Sequence, residues 1–60
     1  MTLLARPVSP WRLARLARGW RLHDVAEETG VSESLISRVE RGLVAPAPDL
    51  REKLERAYQR

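Results

Sequence analysis

Sixty residues with a net charge of +3 and a pI near 10.6 make one small domain, and a domain of that size hides only about 60% of the surface its unfolded chain exposes. That size excludes a deep enzyme pocket, and the absence of cysteine excludes both a disulfide framework and a thiolate zinc site. A single histidine supplies neither a metal site nor a set of proton shuttles, so no metal, cofactor or enzymatic activity is expected. The core must come from hydrophobic packing, with Trp11, Trp20 and Tyr58 as the aromatic residues.

The charge is unevenly spread. Residues 1–21 hold Arg6, Arg12, Arg15, Arg18 and Arg21 and no acid, whereas residues 22–37 hold Asp24, Glu27, Glu28 and Glu33 and no Lys or Arg. Ten of the eleven basic residues are arginine, the side chain that forks onto phosphate and guanine edges. A basic end beside an acidic middle suits a polyanion held on one face only. No apolar run approaches the roughly 20 residues that span a bilayer, and residues 1–8 are too short and interrupted for a signal peptide. A cytoplasmic protein that engages no membrane and no evident small-molecule ligand is the expectation.

In chain order, residues 1–9 read as an extended arm, since Pro7 and Pro10 disfavour helix just before them. Ser9-Pro10 opens a helix, with a hydroxyl at the N-cap and proline at the first position, and Gly19 stops it after about Arg18. The second helix covers about Leu22 to Thr29, with Asp24 in its first turn, where the positive helix end favours an acid. Gly30 closes it at a place that needs positive φ. Ser32 caps a third helix that runs to about Arg41 and is stopped by Gly42. Pro46 and Pro48 stiffen the loop that follows. The last helix starts near Pro48 and carries Leu50, Leu54, Ala57 and Tyr58 on one face. Asp49 with Lys53, and Glu52 with Arg56, are acid-first pairs on its wet side. No segment alternates like a strand, so the chain is all-α.

Residues 22–39 carry the informative pattern. Two short helices that cross at a tight turn need a small residue at the contact (Ala26) and a left-handed turn residue (Gly30). They also need apolar residues facing back at Ile36 and Val39, with Val25 and Val31 closing the wedge. This constellation resembles the helix-turn-helix of the Xre/Cro family, the phage-repressor type of DNA-binding domain. The likeness extends over about residues 11–58 and includes Arg15, Glu40 and Pro46. It departs at Arg21, where the family often has Ser or Thr as a cap, and at Thr29, a place usually apolar.

The resemblance implies a compact, lambda-repressor-like domain of four or five helices over residues 10–60. It implies a homodimeric, sequence-specific regulator of double-stranded DNA, acting as a transcriptional repressor, with helix 32–41 in the major groove. Carried over by position, Glu33, Ser34, Ser37 and Arg38 are the base readers. Arg38 can fork onto guanine O6 and N7, and Glu33 either accepts from a cytosine amino group, repels phosphate, or only complements the helix end. Phosphate contacts fall to the backbone of Leu22 and His23 at a helix N-terminus and to Arg21, Ser32 and Arg41, with Ser32 foremost a cap. Arg15 and Glu40 match the family's structural ion pair.

The first helix has an apolar surplus. Leu13, Leu16, Ala17 and Trp20 form one stripe, and Trp11 and Ala14 lie on another side beside Arg15. A second stripe needs a cover, from Leu3, Leu4 and Val8 of the arm or from another subunit. Leu3, Leu4, Leu13 and Trp20 are accordingly candidates for a dimer contact; alternatively, Arg6 of the arm enters a minor groove. The alternative function is a protein-docking adaptor that acts on RNA polymerase or another regulator, and the acidic stretch over residues 22–37 is its support.

Overall fold

A computed structural model describes residues 9–59; residues 1–8 of the expected arm lie outside the described residues. The described chain forms α1 (Pro10–Ala17), α2 (Leu22–Thr29), α3 (Glu33–Glu40) and α4 (Pro48–Tyr58). There is no strand among the described residues, and none of these helices is long and apolar enough to cross a membrane.

Local chemistry sets the helix ends. The Ser9 hydroxyl accepts from the Arg12 N–H at 3.2 Å, and the Ser32 hydroxyl accepts from the Leu35 N–H at 3.2 Å, so α1 and α3 each have an oxygen cap. Arg21 has no oxygen to offer at the start of α2. The compensation comes from the third helical position, where the Asp24 carboxylate accepts the Arg21 backbone N–H at 2.8 Å. Between α2 and α3 the chain passes through Gly30 at φ 73° and ψ 18°, with its N–H bonded to the Ala26 carbonyl at 2.8 Å. Thr29 stands in an otherwise apolar place because its hydroxyl is satisfied locally. It donates to the Val25 carbonyl at 2.7 Å and accepts from the Val31 N–H at 3.3 Å.

Val25, Ile36, Val39, Leu50 and Leu54 form the buried core, ringed by Trp11, Trp20, Leu22, Ala26, Val31, Leu35 and Tyr58. The buried residues come from α2, α3 and α4, and α1 and α2 both pack against α3 and α4. Inside this apolar centre sits one ion pair. Arg15 Nε donates to Glu40 Oε2 at 2.7 Å, Nη2 donates to Oε1 at 3.0 Å, and Nη1 donates to the Trp20 carbonyl at 3.0 Å. The two side chains are only 11% and 5% exposed. Hydrogen bonding to Glu40 outweighs burial and raises the Arg15 pKa further above its ordinary value.

The face of α1 that turns inward is not the aliphatic stripe. Trp11, Ala14, Arg15 and Arg18 face the domain, whereas Leu13, Leu16 and Ala17 are exposed. Trp20 parts from that stripe altogether. It lies beyond the helix, packs on the core, and stands 6.0 Å from Tyr58 between ring centroids, with the Arg18 guanidinium 5.5 Å above its own ring. On α4 the Glu52–Arg56 pair forms at 2.9 Å. Its companion is Arg51–Glu55 at 3.3 Å; Asp49 and Lys53 take part in no ion pair among the described residues. Each exposed pair contributes about 0.3–0.5 kcal/mol, too little to select one register of α4 over another.

Two outcomes follow from this packing. Glu40→Ala leaves a buried guanidinium unpaired and costs about 3–5 kcal/mol, most of the stability of a domain this small. Arg15→Met combined with Glu40→Leu removes both charges and recovers the larger part of that loss in circular-dichroism melts. If the double variant melts no higher than Glu40→Ala, the charge pair is not the origin of the cost. The second outcome concerns Tyr58, whose hydroxyl is buried with no partner among the described residues. Burial first, and then the negative charge of Glu40, push its pKa up to about 12, against the opposing charges of Arg15 and Arg18. The unfolded phenol ionises near pH ~10, so the folded state holds the proton longer. Stability is therefore full below pH ~10 and falls as the pH rises toward the folded value. An ultraviolet titration of this sole tyrosine should show ionisation delayed in the native protein and returned to the ordinary value in denaturant.

Candidate nucleic-acid interface

The third helix divides cleanly into two faces. Ile36, Val39 and Glu40 are buried. Glu33, Ser34, Arg38 and Arg41 are exposed and Ser37 is half-exposed, and their spacing of one, three, one and three places them on a single side of the helix. All four sequence-derived base readers thus share one outward face, together with Arg41. Arg38 Nη2 donates weakly to the Ser34 hydroxyl at 3.4 Å, and Arg41 Nε donates to the Ser37 carbonyl at 3.4 Å. These contacts lie at the long limit of a hydrogen bond and leave both guanidinium groups available to an incoming acceptor.

The N-terminus of α2 stands beside this face. The N–H groups of Leu22 and His23 have no acceptor among the described residues, while Asp24 and Val25 bond back to the Arg21 carbonyl at 3.0 and 3.3 Å. Unfilled donors at a positive helix end are an anion site in chemical character. Exposed Arg21 precedes them.

His23 is more engaged than its sequence context shows. Its Nε2 lies 3.3 Å from Glu27 Oε2, one turn along α2, and its Nδ1 lies 3.5 Å from Glu33 Oε2 at the start of α3. The imidazole therefore bridges the two helices, and Glu33 leans toward it. Glu33 is not visible as a partner of His23 from sequence, because the contact crosses the turn at a separation that no helical spacing suggests.

The arginines of residues 1–21 also separate by role. Arg12 and Arg21 are exposed, Arg15 is held by Glu40, and Arg6 lies outside the described residues. Arg18 turns inward, and its Nε and Nη2 both donate to the Tyr58 carbonyl at the end of α4, the former at 3.1 Å. A cation on the last carbonyls of a helix complements its negative end. Charge counting alone places Arg18 with the nucleic-acid cations; the missing information is the position of the α4 terminus, forty residues away. Of the dimer-contact candidates, Leu13 lies on the surface, Trp20 is half-buried against the core, and Leu3 and Leu4 fall outside the described residues.

Set beside known proteins, the chain is matched by a family model described as helix-turn-helix over residues 12–60. No curated protein and no solved structure gives a match.

The two kinds of arginine are separable by experiment. Arg18→Gln removes a charged hydrogen-bond donor from a helix end and costs about 1.5 kcal/mol or more, seen as a lower melting temperature, with the polyanion affinity of the folded fraction unchanged. Arg21→Gln should do the reverse, leaving the melt in place while weakening heparin and DNA retention. Equal loss of retention in both variants contradicts this division of labour.

Proposed function

This chain belongs to the Xre/Cro-type helix-turn-helix family, a family of DNA-binding regulators, and from that premise we propose that it is a sequence-specific transcriptional repressor acting in the cytoplasm. Residues 10–60 are the DNA-binding unit and residues 1–9 an arm. The observation that carries the reading is the outward face of α3, where Glu33, Ser34, Ser37, Arg38 and Arg41 stand clear of a core that the opposite face alone supplies. A helix so divided can enter a major groove without disturbing the packing that holds it.

On this reading Arg38 forks onto a guanine, Ser34 and Ser37 meet neighbouring base edges, and Glu33 accepts from a cytosine amino group or repels a misplaced phosphate. The free N–H groups of Leu22 and His23 hold one phosphate, and Arg21, Ser32 and Arg41 border the same backbone. Ser32 gives its oxygen to the Leu35 N–H, so its hydroxyl hydrogen is what remains for DNA. Two copies bind an inverted repeat with half-sites about one helical turn apart, and occupancy of that operator blocks transcription. A protein-docking adaptor is the competing reading, favoured by the acidic edge in which Glu27 and Glu33 flank His23.

Selection of an operator from a random duplex library, followed by fluorescence anisotropy, tests the proposal. Arg38→Ala should weaken the selected site about 5- to 150-fold, the equivalent of a lost bidentate base contact, and leave non-specific duplex unaffected. Arg21→Ala and Arg41→Ala should weaken all duplexes alike and reduce the salt slope by about 1 each. Failure to enrich any operator, together with retention that non-specific DNA fully competes away, would sink the repressor reading and favour the adaptor.

A further inference from the structure

The acid at the head of α3 is approached from the neighbouring helix. Glu33 is the first residue of α3 and stands on its outward face. The cap of that helix is supplied by the Ser32 hydroxyl, and the Glu33 carboxylate bonds to no backbone N–H among the described residues. Its Oε2 lies instead 3.5 Å from His23 Nδ1, while the other ring nitrogen, Nε2, lies 3.3 Å from Glu27 Oε2. We propose that His23 is a positioning residue for operator choice: its ring, steadied by Glu27, fixes the Glu33 carboxylate so that α3 selects cytosine at the base pair Glu33 meets. The inference rests on the DNA reading of α3 and names one base of its target.

A glutamate with no neighbour turns about three side-chain bonds and offers its oxygens in many directions. The imidazole is a flat ring that turns about two. Glu27 lies one helical turn along α2 from it, at the spacing where side chains of one helix meet, so the ring is anchored from its own helix. It carries that constraint across the turn to α3. The turn is itself fixed, with Gly30 at φ 73° and its N–H on the Ala26 carbonyl. With Oε2 beside the ring, Oε1 has no partner among the described residues and is the acceptor left for DNA.

The base edges decide what such an acceptor selects. In the major groove guanine presents acceptors only, thymine an acceptor and a methyl group, and adenine an amino group beside an acceptor that repels a carboxylate. Cytosine presents an amino donor alone. The hold on Glu33 is modest, because all three side chains are more than half exposed, and exposed pairs bias a side chain by up to about fivefold. A mismatched base pair costs about 5- to 150-fold. His23 therefore tunes a preference that Glu33 creates. Arg38 lies outside the bridge, with Ser34 as its contact, and its guanine preference is independent of the ring.

Operator selection from a random duplex library, followed by affinities for the four duplexes that differ at one pair, tests the proposal. Glu33→Gln should move the preference at its pair from cytosine to adenine, whose N6 and N7 an amide meets together, and so identifies the pair. His23→Ala keeps the backbone N–H and should lower the cytosine preference there by about two- to fivefold. Glu27→Ala should lower it less, and neither variant should alter the guanine preference lost in Arg38→Ala. In the free protein, three-bond couplings across the Glu33 Cα–Cβ bond should show a rotamer bias that His23→Ala removes. If the wild-type chain enriches no operator, the DNA reading fails and this proposal with it. An enriched operator whose cytosine preference survives His23→Ala unchanged overturns the proposal and leaves the reading standing. Equal weakening of all four duplexes by His23→Ala overturns it too and makes the ring a backbone contact. So do Glu33 couplings that are already averaged in the wild-type chain.

Discussion

The bidentate contact between Arg15 and Glu40 sets the rest of the molecule. A guanidinium and a carboxylate that are 11% and 5% exposed pay a large desolvation cost, and each is tolerable only while the other is in place. Nη1 adds a third bond, to the Trp20 carbonyl just past the end of α1. One side chain thus ties three points together: α1, the segment leading into α2, and the C-terminal end of α3. A dispersed apolar contact would permit several rotations of α1 with similar energy. A fork of two hydrogen bonds permits one. With Arg15 inward, helical geometry carries Trp11, Ala14 and Arg18 inward with it and leaves Leu13 and Leu16 outside.

That constraint explains which parts of the fold were legible in the sequence and which were not. Helix ends depend on residues within one turn: Ser9 and Ser32 as caps, Pro10 and Pro48 at first positions, Gly30 in the turn. Such signals are local, and the four helices stand where those residues place them. The core faces of α2, α3 and α4 were legible too, because Val25, Ile36, Val39, Leu50 and Leu54 are both the apolar residues and the buried ones. In α1 the two properties separate. Its aliphatic periodicity points to one face and its buried charge to another, and a polar contact twenty-five residues away decides between them. Arg18 and Trp20 were obscure for the same reason, since both take their positions from Tyr58 at the far end of the chain.

The candidate interface shows the same division. The outward face of α3 could be read from spacing alone, because the residues opposite Ile36, Val39 and Glu40 must face away from the core. How those outward side chains are held could not be read. The ring of His23 lies between Glu27 and Glu33; helical spacing suggests the first partner, whereas nothing in the spacing announces the second across the turn. The interface therefore combines a surface that the core defines with a side-chain arrangement that the turn geometry defines.

The bridge also changes what Glu33 can do. A carboxylate in the first turn of a helix complements the positive helix end, and that alone gives it a reason to be there. Here it also leans toward an imidazole on the neighbouring helix, next to the unfilled N–H groups of Leu22 and His23. A phosphate approaching those N–H groups would meet a negative charge at short range unless the imidazole draws that charge aside. The two ring nitrogens each face a carboxylate oxygen, Glu27 at 3.3 Å and Glu33 at 3.5 Å. Exposed acids and exposed arginines thus share this edge of the domain. On the proposed reading such a surface limits how deep and at what angle α3 sits in a groove, with its acids setting register and Arg38 making the base contact.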